Sequence, residues 1–300
     1  MLRFVLRRLA FASLLVLVVT SLSFVLVRVV PGDYFTEFGP GGDRRARAER
    51  AAARLDRPLV VQYAEWLSRA VRFDLGTSLK FQQPVTALVA RRAAATVLLG
   101  SSALVLATIC GITLGVFTGA GEGALRSAVR TASTTVLAVP PLVISLALTA
   151  IAAHLGWLPP AGLHLPNMVI PIAALAVPAA AWIEQVHSQA IRRALSAPHI
   201  LAARARGLTR ARVLWKHASR DALGTTLSVY GILAGSIMSG SFAVELVADW
   251  PGLALLTADA LRARDPFLVC GCSAAAAALL VGAIVVADVL HVWVDPRLRS

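Results

Sequence analysis

Six runs of about 20 mostly apolar residues recur along this sequence, each long enough to cross the hydrocarbon core of a bilayer as an α-helix. They extend from Leu9 to Val30, Ala93 to Gly119, Thr131 to Leu155, Met168 to His187, Leu223 to Val244 and Phe267 to Val294. Lipid offers the backbone no hydrogen-bond partners, so runs of this kind must close their bonds internally. The sequence thus predicts an all-α membrane protein with about six transmembrane helices. Composition agrees: 57% hydrophobic and 15% charged residues with a mean hydropathy of +0.73 exclude an ordinary soluble domain. The first run follows Arg3, Arg7 and Arg8 as a signal peptide would, but it exceeds the length of such a segment. It also ends in VLVRVVPGD with no small-residue cleavage site, and reads as a retained helix.

The net charge of +13 belongs to topology rather than to nucleic acid, because the arginines lie between apolar runs and form no basic domain with interleaved aromatics. Basic residues collect before the first run, at Arg126 and Arg130, between Arg192 and Arg220, and at Arg297 and Arg299, while Gly156 to Asn167 holds none. That asymmetry predicts a multi-pass protein with an even number of spans and both termini in the cytoplasm. The outer loop, residues 31–92, is rich in arginine too, but loops of about 60 residues translocate largely regardless of charge. Within it, Asp43 to Arg57 and VVQYAEWLSRAVRFDLG are helix formers expected to make a small outer cap.

Gly111, Gly115 and Gly119, and then Gly231 and Gly235, recur at the four-residue spacing that lets membrane helices approach closely. Pro140 and Pro141 interrupt the third run, and Pro178 lies in the fourth. Catalytic signatures are missing. The only lysines, Lys80 and Lys216, stand outside any phosphate-binding loop, and neither H-E-x-x-H nor G-x-S-x-G occurs. Glu184 and His187 alone make a poor metal site, and Cys110, Cys270 and Cys272 read as small buried hydrophobes. No cofactor is expected.

The segment HILAARARGLTRARVLWKHASRDAL, from His199 to Leu223, is the most informative between the runs. Its alanine-rich first part reads as a short helix stopped by Gly207 in the left-handed conformation. Thr209 then caps a second helix, with Arg212 standing where a capping-box acid would be. Such a basic elbow fits either an anchor on anionic inner-leaflet lipid or a dock for a partner.

This elbow resembles the cytoplasmic EAA loop of ABC importer permeases. The flanks resemble the oligopeptide, dipeptide and nickel group, B-type subunit: MLRFVLRRL, VVPGD, DRPLVVQYAEWL, FDLGTSL with PVTALVARR, LGWLPPAG, ARARGLTRARVLWKHASRDAL, VELVADWPGLALLTADALRARDP and ADVLHVWVDPRLRS follow in family order. The resemblance implies a type I importer (MetI-like) fold forming a single permease domain, residues 1–300, with the coupling loop at 188–222. It implies a second, C-type permease, two ABC ATPase subunits at the coupling loop, and an extracytoplasmic solute-binding protein. Ala202, Ala203, Arg204, Arg206, Gly207 and Leu208 would face the ATPase, and Trp250, Pro251 and Gly252 would form an outer re-entrant or gate motif. Leu201 replaces the acid that names the loop, Pro198 stands where an acid is common, and the stretch from Glu184 to Arg193 lacks the group's usual basic-then-acidic pattern.

The function so implied is ATP-driven, alternating-access import of peptides or similar small solutes by a subunit that is not itself an enzyme. A nickel-type permease is the alternative within the family. Outside it stand a self-sufficient secondary carrier or channel, which the scarcity of ionisable groups in the spans disfavours, and a membrane scaffold with a basic anchor.

Overall fold

A computed structural model describes residues 2–29, 34–35, 50–51, 55–156 and 165–294. Several sequence expectations fall outside these residues: the VVPGD corner, most of the run from Asp43 to Arg57, the LGWLPPAG turn beyond Gly156, and the last six residues. The described residues are helical, almost all of them α-helical, apart from turns, short connections and one isolated bridge between Thr77 and Pro84. In chain order the helices are α1 (Leu2–Val29), α2 (Leu59–Ala70), α3 (Val85–Gly119), α4 (Ala124–Leu137), α5 (Pro141–His154), α6 (Leu165–Leu195), α7 (Pro198–Ala205), α8 (Arg210–Arg212), a π-helical segment (Val213–Ala218), α9 (Ser219–Leu227), α10 (Tyr230–Val247), α11 (Leu253–Arg262) and α12 (Pro266–Val294).

Five of these, α1, α3, α6, α10 and α12, are long and apolar enough to span a membrane, and α4 with α5 makes a sixth candidate bent by 105°. The third apolar run is therefore two helices rather than one. Pro141 at the start of α5 has no N–H to continue α4, and Pro140 holds the extended φ and ψ of −59° and 143°. The fifth span begins at Tyr230 instead of Leu223. The Ser228 hydroxyl donates to the Thr225 carbonyl at 2.7 Å, and hydroxyls that bond the nearby backbone weaken a helix interior.

The described chain partitions into two compact units. One comprises residues 1–6, 97–250 and 280–300; the other comprises 7–96 and 251–279. In the first, α6 is the hub, with α4, α5, α9 and α10 packed around it. The glycine stripe of α3 lies directly on α6: a Cβ at Gly111 would come within 2.6 Å of Ile183 Cβ, at Gly115 within 2.8 Å of His187 Cβ, and at Gly119 within 2.8 Å of the Ser188 carbonyl oxygen. Such distances exclude any side chain, as the spacing of these glycines predicts.

In the second unit, Val85 and Val89 of α3 pack with Leu253 and Leu256 of α11 and Leu268 and Cys272 of α12. A buried carboxylate joins the connecting segments. Asp265 Oδ2 accepts from the Ser78 hydroxyl at 2.7 Å and the Lys80 N–H at 3.1 Å, while Oδ1 caps α12 by accepting from the Leu268 N–H at 3.1 Å. Every bond to this charged acceptor is worth about 1.5–3 kcal/mol when buried. Asp265→Ala is expected to lower the unfolding free energy by about 3 kcal/mol or more, and Ser78→Ala by clearly less; thermal unfolding in detergent compares the two.

Candidate functional site

The elbow between α6 and α10 is built by two helix-end motifs in succession. At the end of α7 the Gly207 N–H donates to the Arg204 carbonyl at 2.9 Å and the Leu208 N–H to the Ala203 carbonyl at 3.4 Å. Gly207 itself has φ +81°. This is a Schellman ending, in which the left-handed residue closes the last carbonyls and reverses the chain. Two residues on, the Thr209 side chain accepts from the Arg212 N–H at 3.4 Å and starts the next helix. The sequence expectation for both caps thus matches the local geometry.

The elbow is tied back to its unit at three points. Arg210 Nη2 donates to the Ala120 carbonyl at 2.8 Å, beyond the C-terminus of α3, where cationic groups are favoured by the helix dipole. His199 Nε2 meets Asp221 Oδ2 of α9 at 2.6 Å, in an exposed pair. Beneath the elbow, Val116, Ala190, Ile191, Ala194, Ala218 and Ala222 form an apolar core that joins α3, α6, the π segment and α9.

Within this frame the predicted residues separate. Ala202, Arg204, Arg206 and Gly207 are exposed and Leu208 is half-buried, whereas Ala203 is turned into the chain at 3% exposure. The small side chain at Ala203 serves packing inside this unit, and the outward surface is carried by Ala202, Arg204 and Arg206. Leu201 is exposed beside them, and so is Trp215 on the π segment. A π turn shifts the following faces relative to an α-helix and recurs at functional places.

The second predicted group, Trp250, Pro251 and Gly252, forms the turn between α10 and α11. Trp250 is 1% exposed and packs as a core side chain. Gly252 has an extended φ of −93° and precedes α11 as its N-cap. The left-handed residue of this turn is Asp249, at φ +49°. It ends α10 with the Trp250 N–H donating to the Glu245 carbonyl at 3.0 Å.

Polar residues of α6 that the sequence left without a role supply the remaining connections. Glu184, fully buried, accepts from the Thr118 hydroxyl of α3. Gln185 Nε2 donates to Thr134 Oγ1 of α4 at 3.0 Å. His187, also fully buried, lies between two hydroxyls flanking α9: Nδ1 is 2.8 Å from Thr226 Oγ1 and Nε2 is 3.1 Å from Ser219 Oγ. Thr226 sends its one proton to the Ala222 carbonyl at 2.9 Å, so it accepts from Nδ1–H. In the neutral ring, Nε2 then accepts from the Ser219 hydroxyl. Neighbouring residues of one helix thereby bind α6 to α3, α4 and α9, and α9 continues from the elbow. The Ser219 hydroxyl and the His187 ring that accepts its proton are both buried between helices, and what the arrangement offers is a mechanical connection from an exposed basic elbow to buried spans.

Comparison with known proteins bears on what that connection serves. Residues 111–300 match the family described as binding-protein-dependent transport system inner membrane component. Residues 1–100 match the N-terminal region of such membrane components. The chain is 30% identical to the dipeptide transport system permease protein DppB of Bacillus subtilis over 303 residues, covering 100% of this chain and 98% of the relative. It is 30% identical to the oligopeptide transport system permease protein AppB of the same organism over 312 residues, 99% of each chain.

Replacing the ring of His187 leaves the buried Ser219 hydroxyl without its partner and strips one bond from Thr226. His187→Phe is expected to lower stability by about 1–3 kcal/mol, the cost of an unsatisfied buried polar group. His187→Asn, which keeps a donor and an acceptor, should recover part of the loss. Thermal unfolding of the purified chain in detergent reads both.

Proposed function

The chain belongs to the family of inner membrane components of binding-protein-dependent transport systems, and from that premise we propose that it carries peptides or similar small solutes across the membrane by alternating access, powered by ATPase subunits that dock on its basic elbow. It is the membrane-spanning permease subunit of an ABC importer, a multi-pass protein with a transport role. Peptide as the solute class rests on the names of the dipeptide and oligopeptide permeases that it resembles along their whole length.

The single observation that carries the docking reading is the form of the elbow. Ala202, Arg204 and Arg206 stand exposed on α7, immediately before a Schellman turn whose Gly207 has open space around its missing Cβ. A short helix with a small exposed residue and basic flanks suits insertion into an acidic groove of a partner. The polar and apolar connections from the elbow to α6 supply a path for movement. In this reading Ala202, Arg204, Arg206, Gly207 and Leu208 belong to the coupling loop, residues 188–222, with Ala203 supporting it from within. Trp250, Pro251 and Gly252 shape the outer element that leads into α11. A second, C-type permease pairs with this chain in the membrane, residues 1–300 act as one permease domain, and an extracytoplasmic binding protein delivers solute to the outer face. Both termini lie on the ATPase side of the inner membrane, as the distribution of arginine favours.

The alternative role for so basic an elbow, an anchor on anionic lipid, makes a different demand. Lipid attraction scales with the number of cations, at about 1 kcal/mol each, and is indifferent to one backbone angle. A Cβ at Gly207 strains the left-handed turn by about 1–2 kcal/mol and puts a branched side chain on the docking surface. Gly207→Val is expected to leave membrane insertion and abundance near wild type while reducing ATPase copurification and ATP-driven uptake at least tenfold in the reconstituted transporter. Replacing Arg204 and Arg206 by glutamine tests charge while leaving the structural Arg210 in place. Wild-type uptake with Gly207→Val beside severe loss in the arginine variant contradicts the docking role.

A further inference from the structure

We infer that α2 is a lipid-embedded interfacial helix, seated in the acyl–headgroup boundary of the leaflet that holds the Val29 end of α1, with phospholipid as the occupant of its exposed apolar face. The depth of α2 follows from its contacts with α1. Between Arg8 and Arg28 the helix has 19 uncharged residues, a length of about 28 Å at 1.5 Å per residue, which matches a hydrocarbon core of about 30 Å. Arg28 therefore marks the edge of that core. Tyr63 of α2 is hydrogen-bonded to Ser21, seven residues or about 10 Å inside that edge. Trp66 packs on Phe24 with ring centroids 6.1 Å apart, four residues or about 6 Å inside. Amphipathic helices that lie in a membrane interface bury their apolar face by about 5–10 Å, and α2 sits at that depth.

The sides of α2 divide as such a position requires. Tyr63, Trp66, Leu67 and Ala70 face Phe24 of α1 and Cys270 of α12. Val60, Ala64 and Val71, at the i, i+4 and i+11 positions of a helical stripe, turn away from the chain, with Val60 78% and Val71 75% exposed. Ser68 and Arg72, an i, i+4 pair next round the helix from this stripe, are exposed where headgroups would meet them. Phe73, left-handed at φ +61° and 86% exposed, ends the helix. The exposed stripe is continuous in chemistry with the outward face of α1, where Val18, Leu22, Val25 and Val29 are also exposed at helical spacing. A face of that kind on a spanning helix is covered by lipid, and the neighbouring helix at the same depth shares its solvent.

The test places an environment-sensitive NBD fluorophore at Val60→Cys and, separately, at Val71→Cys in the full chain within its assembled transporter, reconstituted in phosphatidylcholine nanodiscs. Cys270 and Cys272 are fully buried, and the wild-type chain treated in the same way is the blank for Cys110. The expected result at both positions is blue-shifted emission, quenched by phosphatidylcholine with brominated acyl chains and insensitive to aqueous iodide. Unshifted emission quenched by iodide would place the face in water. Emission shielded from both quenchers would assign it to a protein partner. Either result overturns the inference, and neither depends on which solute is transported or on where the ATPases dock.

Discussion

The contact on which the rest of the transporter subunit depends is the close approach of two helix backbones, α3 and α6. Three glycines of α3 lie so near α6 that any Cβ would collide with Ile183, His187 or Ile191. In lipid there is no water to expel, so association of spans relies on packing and on interhelical hydrogen bonds, and small residues are what permit both. Because the α3 backbone is this close, the Thr118 hydroxyl reaches Glu184, and the last turns of both helices cover the apolar core beneath the elbow. His187 then faces α9 with its ring held between Ser219 and Thr226.

How much of this was readable in advance depended on whether a residue type carried its own conformational signature. Gly207 did: a glycine after an alanine-rich run signals a left-handed ending, and its φ is +81°. Three other helix ends use the same motif with Phe73, Asp249 and Arg264 at positive φ, and no propensity rule singles out such residues, since their strain of about 1–2 kcal/mol is repaid by closed carbonyls. In the turn before α11 the left-handed residue is Asp249, three residues before the extended Gly252. Pro140 and Pro141 announced an interruption; its 105° angle depends on packing against α6 that no local signal contains.

The polar residues were the least legible. Asp265 bonds to Ser78 across 187 positions of sequence, and His187 and Glu184 read from the sequence as an isolated pair near a helix end. Their partners are hydroxyls of serine and threonine, which occur throughout the spans and carry no spacing signature. For Ala202 and Ala203 the resemblance treated both as one surface, while a short helix resting on its own protein must turn one of two adjacent residues inward. Here that residue is Ala203.

The division between those two alanines offers the most direct test of the coupling account. In the assembled transporter, Ala202→Cys and Ala203→Cys variants are treated with a short photoactivatable thiol crosslinker and the products probed for the ATPase subunits. The account predicts efficient crosslinking from position 202, weakened when ATP and solute drive turnover, and little from position 203, which is 3% exposed. A transporter that imports normally while position 202 fails to crosslink to either ATPase would contradict the claim that this elbow receives the work of ATP hydrolysis.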